Sequence, residues 1–127
     1  MIHVLTKQID KAIRQFPWMD FKVAGYSDST LIIQGGISLF QRPDLEIKFS
    51  DVEHISIPTS WKTGTREVSF RHFDPKLEYE LNIRNGVLEG NYLFQFIVED
   101  LPESGQHFVA AGDVTFAVYS NRSTDAL

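Results

Sequence analysis

Beyond Pro17 the chain alternates between apolar and polar side chains. Leu45, Ile47 and Phe49 are interleaved with Glu46, Lys48 and Ser50, and Leu77, Tyr79, Leu81 and Ile83 with Glu78, Glu80, Asn82 and Arg84. A period of two sends successive side chains to opposite faces of an extended strand, and over 77–84 it excludes a helix. Shorter runs repeat the pattern at Met19, Phe21 and Val23, at Ile55 and Ile57, at Val68 and Phe70, and at Tyr92, Phe94, Phe96 and Val98. Further strands are expected over 107–111 and 114–120, and Leu31-Ile32-Ile33 has the continuous apolar character of a strand covered on both faces. Turn chemistry separates these runs at Ser27-Asp28-Ser29, Gly35-Gly36, Arg42-Pro43-Asp44, Thr63-Gly64, Asn85-Gly86, Glu89-Gly90-Asn91 and Pro102-Glu103-Ser104-Gly105. Connections this short join antiparallel neighbours, because parallel strands need long crossovers.

One helix is expected ahead of the strands. Val4, Leu5, Ile9, Ala12, Ile13 and Phe16 line one face at a period near 3.6, with Gln8, Asp10, Lys11, Arg14 and Gln15 on the other side. Pro17 ends it by disfavouring the helical conformation of the preceding residue. Its charges balance, which marks a packing element and not a membrane anchor. The expected fold is therefore α+β: an N-terminal helix on a curved, mostly antiparallel sheet of seven to nine strands, either a partial barrel or two layers. Residues 1–127 form a single domain, with 120–127 expected to fray.

Composition narrows the chemistry. The chain has no cysteine, which removes disulfides, thiolate-bound zinc and a cysteine nucleophile. Twelve Lys and Arg against seventeen Asp and Glu give a net charge of −5, the wrong sign for a non-specific nucleic-acid binder. Residues 1–63 hold seven basic and seven acidic side chains, whereas 64–127 hold five and ten. The whole excess thus lies in the second half, most densely over 74–103. An acidic surface steers basic partners and also keeps a small protein soluble. No signal peptide and no membrane span is expected, so the cytoplasm is the default location.

No catalytic constellation is complete. His3, His54, His72 and His107 have no metal-ligand spacing, and a triad of Asp51 or Glu53 with His54 and His72 would have to assemble in space. Glu78 and Glu80, or Asp51 and Glu53, lie roughly 7 Å apart on one strand face, a separation known from glycosidases. A solvated face supplies neither the cleft nor the raised pKa that such chemistry needs. There is no nucleophile elbow and no phosphate-binding glycine loop, and Gly35-Gly36 is taken as a turn. No cofactor and no metal is expected.

The stretch 49–64 is the most individual. Trp61 follows Pro58 in a polar setting, where it is either an exposed contact residue or a lid folded over the sheet edge. Arg66 and Arg71 nearby would hold carboxylates or pair with local acids.

In layout, a short, acidic, cysteine-free chain with an N-terminal helix and a run of antiparallel strands resembles the small immunity proteins of bacterial polymorphic toxin systems. Phe49-Ser50-Asp51-Val52-Glu53-His54-Ile55, running on to Trp61, and Asn91-Tyr92-Leu93-Phe94-Gln95-Phe96 carry the resemblance. It implies a non-enzymatic cytoplasmic protein that binds and blocks a cognate toxin, many such toxins being basic nucleases. It transfers no site residue by residue. The expected partner is accordingly a protein, with Glu78, Glu80, Glu89 and Trp61 as contact residues. Two alternatives stay open: a barrel binding an apolar ligand among Phe70, Tyr92, Phe94 and Phe96, and an enzyme of unrecognised type.

Overall fold

The structure is a computed structural model that describes residues 2–38, 42–73, 80, 91–99 and 107–119. One helix, α1 (Ile2–Ile13), precedes β1 (Trp18–Ser27), β2 (Thr30–Gly36), β3 (Leu45–Ser56), β4 (Ser60–Gly64), β5 (Phe70–His72), β6 (Tyr92–Phe96) and β7 (Phe108–Val118). The seven strands form one sheet in the order β4-β1-β2-β3-β7-β6-β5, with every neighbouring pair antiparallel. The sheet curls into a half-barrel, the α+β fold with a curved sheet that the alternation calls for.

The concave face holds the core. Phe21, Phe49, Phe70, Phe94 and Phe96 are fully buried, and Phe96 lies 4.9 Å from the Trp61 ring, 4.9 Å from Phe70 and 5.6 Å from Phe21. These edge-to-face and tilted pairs add to the burial energy of the rings themselves. Ile9 and Ile13 of α1 join the same cluster. A smaller cluster of Phe73, Leu93, Phe108 and Ala110 lies apart from it.

Polar groups fix the helix as well as its apolar stripe. Asp10 Oδ1 accepts the backbone N–H of Ser69 (2.7 Å) and of Phe70 (3.1 Å), both residues being buried. Arg14 donates to the carbonyls of Thr65 and Arg66, and the Thr65 hydroxyl donates to the carbonyl of Phe16. Asp10 and Arg14, on the side opposite the apolar stripe, thus grip the segment leading into β5.

A bend in β3 makes the curl possible. Asp51, in mid-strand, has φ 54°, and the β3–β7 register shifts just after it, between Val52 and His54. Only three residues then separate Ser56 from Ser60, a reach of about 14 Å at full extension. Thr59 nevertheless accepts the N–H of Val23, well back along β1 from the Asp28-Ser29 turn, while Ser29 O meets Val52 N–H. A straight β3 would carry Ser56 past that turn and out of reach. The left-handed residue and the bulge fold its second half back. The outer edge of β4 is then met by residues 97–99: Glu99 N–H donates to Lys62 O (2.9 Å) and the Thr63 hydroxyl to Ile97 O (2.7 Å).

Several expectations need correction. Gly35 and Gly36 belong to β2 and are not a turn. The runs beginning at Leu45 and ending at Ser56 are one strand, and those expected over 107–111 and 114–120 merge into the single strand Phe108–Val118, with residue 120 outside the described residues. Of the alternating segment 77–84, only Glu80 lies among the described residues, and its backbone is helical.

Candidate functional site

Of the expected contact residues, Trp61 and Glu80 lie among the described residues. Trp61 is an interior residue: β4 alternates as well, with Trp61 and Thr63 inward and Ser60, Lys62 and Gly64 outward. Its side chain is 7% exposed, stacked on Phe21 at 5.3 Å, and its indole N–H meets no acceptor among the described residues. Packing against β1 overrides the polar character of the neighbouring residues. Glu80 is exposed, whereas Glu78 and Glu89 lie outside the described residues. Phe70, Phe94 and Phe96, considered above as cavity lining, fill the interior with their own rings. Arg71 donates to the side-chain oxygen of Gln95.

The histidines are dispersed over different elements. His54 stacks on Phe108 at 5.3 Å, while His72 meets His3 at 5.0 Å and Tyr92 at 5.6 Å. Among the described residues, no group of three or more His, Asp and Glu side chains is placed to hold a metal ion.

A different set of acids gathers at one corner of the sheet. Asp28 is at the tip of the β1–β2 hairpin, Asp51 and Glu53 flank the bend of β3, and Asp113 lies on β7 opposite Ser50. All four are exposed. The bond from Val52 N–H to Ser29 O brings the hairpin tip against the bend. Gly112 brings β7 there too: a Cβ at Gly112 would lie 3.1 Å from the Asp51 Cβ. Asp28 (φ 51°) and Asp51 (φ 54°) both occupy the left-handed region, which costs a non-glycine residue about 1 kcal/mol and which Asp tolerates better than most. Asn91 donates to Glu53 Oε2 at 2.9 Å.

Beside this corner runs a groove of about 410 Å³ lined by Ile2, Val4, Leu5, Gln8, Tyr92, Gly112 and Asp113. Val4 is 56% exposed at its rim. An apolar trough with the Asp113 carboxylate in its lining can seat an apolar side chain and pair with a cation beside it. A second cleft, of about 430 Å³, lies where β4 meets residues 97–99 and carries Arg66, Glu67 and Glu99. Among the described residues no helix is long and apolar enough to cross a membrane.

At the far end of β7, the Tyr119 hydroxyl donates to Glu46 Oε2 at 3.2 Å. Loss of hydration, then the Glu46 charge, then that hydrogen bond hold the phenol above its ordinary pKa of 10.0. Stability contributed by this contact is complete below the ordinary value and is lost as pH rises through the raised one. An ultraviolet difference titration against Tyr119→Phe should place its midpoint above that of a free tyrosine, and Glu46→Gln should lower it.

No protein family, no curated protein and no solved structure matches this chain.

Proposed function

We propose that this chain is a non-enzymatic binding protein whose partner is a basic protein, and that it acts in the cytoplasm as an immunity protein does, by occupying and blocking a toxin. The observation that carries this reading is the acidic corner at Asp28, Asp51, Glu53 and Asp113. Three separate stretches of chain that carry these acids meet at this corner, and Asp51 sits on left-handed backbone in mid-strand. Backbone strain of this kind concentrates at binding surfaces, where the surrounding structure holds it in place. The adjoining groove supplies the apolar contact that a charged rim alone lacks.

The test is binding kinetics against the product of a toxin gene lying immediately upstream. Glu53→Lys combined with Asp113→Lys reverses two charges at positions with ordinary backbone and should slow association about tenfold or more while flattening its salt dependence. Stability should change by no more than about 1 kcal/mol, since both side chains are exposed. Glu80→Lys is the comparison. If it slows association while the corner variant does not, the contact surface lies in the 74–103 segment. Unchanged kinetics in both would leave the acidity as a solubility feature.

The groove also favours a second reading, a small apolar ligand seated against Ile2, Leu5 and Tyr92. Native mass spectrometry of the protein as purified distinguishes the two, because a stoichiometric adduct would favour the ligand.

A further inference from the structure

An open sheet has backbone edges, and an uncovered edge is a template for another strand. Two edges here are met in part by the chain itself. Residues 97–99 meet β4, and Asp10 takes the N–H groups of Ser69 and Phe70 at the entry to β5. Among the described residues a third edge is open. β6 pairs with β7 only as far as Ala111, while β7 continues to Val118 with β3 on one side alone. Tyr119 N–H donates to Asp44 O in step with that ladder, so residues 113, 115 and 117 turn their backbone groups toward β3. Phe116 and Val118 turn theirs outward, and neither N–H meets an acceptor among the described residues. The usual protections of an edge are missing: 114–119 contains no Lys, Arg or Pro, and the ladder has no bulge there.

We propose that two copies of this chain associate through β7, edge to edge and antiparallel, about a two-fold axis at Phe116. Three features favour a second copy as the occupant. Val114, Phe116 and Val118 form an apolar row on the concave side, and the two-fold sets Val114 against the other copy's Val118, enclosing a side chain that is otherwise 43% exposed. On the convex side the same axis sets Thr115 opposite the other copy's Ala117. Since Lys48 pairs with Thr115 and Glu46 with Ala117, each Lys48 falls in one row with the other copy's Glu46. The two lie three strand spacings apart, about 14 Å between backbones, with only the small Thr115 and Ala117 between them. The axis therefore aligns opposite charges, whereas a shift of register would not. Finally, a two-fold through Phe116 uses the β7 edge of both copies at once, so this contact closes at a dimer and does not run on into a filament.

Sedimentation equilibrium of the full chain over a dilution series tests this. The wild type should move from monomer to dimer as concentration rises. Thr115→Lys with Ala117→Lys places like charges across the axis twice and should raise the dimer Kd about tenfold. Thr115→Lys with Ala117→Glu restores opposite charges at the same positions and should bring the Kd back. Val118→Pro removes one outward N–H without touching the β3 ladder and should also weaken the dimer, with the circular dichroism spectrum unchanged. A wild type that stays monomeric at every concentration overturns the proposal, and so does a dimer indifferent to the sign of the charge at 117.

Discussion

Asp10→Ala should destabilise the fold by about 2–4 kcal/mol, more than a partly exposed carboxylate on a helix ordinarily contributes. The reason is what Asp10 holds. Its Oδ1 is the acceptor for two backbone N–H groups, those of Ser69 and Phe70, and both residues are at most 1% exposed. Alanine leaves both donors buried without a partner, at about 1–3 kcal/mol each, and partial relaxation of the segment recovers some of that. The ion pair to Arg14, 3.7 Å long and with the Arg14 side chain exposed, adds little. Asp10→Asn keeps an acceptor oxygen and should lose markedly less than alanine does. Lys11→Ala, one position along on the exposed face, should stay within about 0.5 kcal/mol. Urea denaturation checks all three. A loss at Asp10→Ala no larger than at Lys11→Ala would mean that the segment before β5 finds water in place of the carboxylate.

Gly35→Ala is expected to cost about 1–3 kcal/mol, although it adds a single methyl group to a strand. That methyl would lie 2.7 Å from Cε1 of Phe21 and 2.8 Å from Sδ of Met19. Phe21 is directly opposite Gly35 in the ladder and its ring covers the glycine, an arrangement that makes up for the missing side chain. The ring has no room to retreat, being flanked by Trp61 at 5.3 Å and Phe96 at 5.6 Å. The cost should therefore depend on the ring. In a Phe21→Leu background, Gly35→Ala should be cheaper by about 1 kcal/mol or more, a coupling that a double-mutant cycle reads directly. Equal costs in both backgrounds would place the strain elsewhere.

Much of this architecture could be read from residue order, because it rests on local pattern. The alternation at 45–50 and 92–96, the amphipathic stripe and the hairpin turn at Asp28-Ser29 each need only a few neighbours to be recognised, although the stripe runs on to Phe16 and the helix ends at Ile13. What could not be read depends on distant contacts. Nothing near Asp51 distinguishes a left-handed residue from any other acid in a polar stretch. Asp10 carries no sign that its partners are the N–H groups of residues some sixty positions away. Trp61 belongs to a five-residue strand whose outward side chains are Ser60, Lys62 and Gly64, so polarity hid the burial. The acidic corner escaped notice for a related reason. Its members come from residues 28, 51–53 and 113, where local charge density is unremarkable, and local density pointed to 74–103 instead.

The long pairing of β3 with β7 bears on the order in which the molecule can assemble. The β1–β2–β3 meander joins near neighbours in the chain and can form early. Leu45, by contrast, pairs with Val118 and Ser56 with Phe108, partners 73 and 52 positions apart. Closing loops of that size is entropically expensive before the ladder compensates for it, so this pairing belongs to the slow part of folding. As the chain leaves the ribosome, β3 is therefore complete long before its partner exists. Its β7-facing edge waits uncovered, with the alternating Leu45, Ile47 and Phe49 beside it, and the nascent chain is most open to mispairing during that interval.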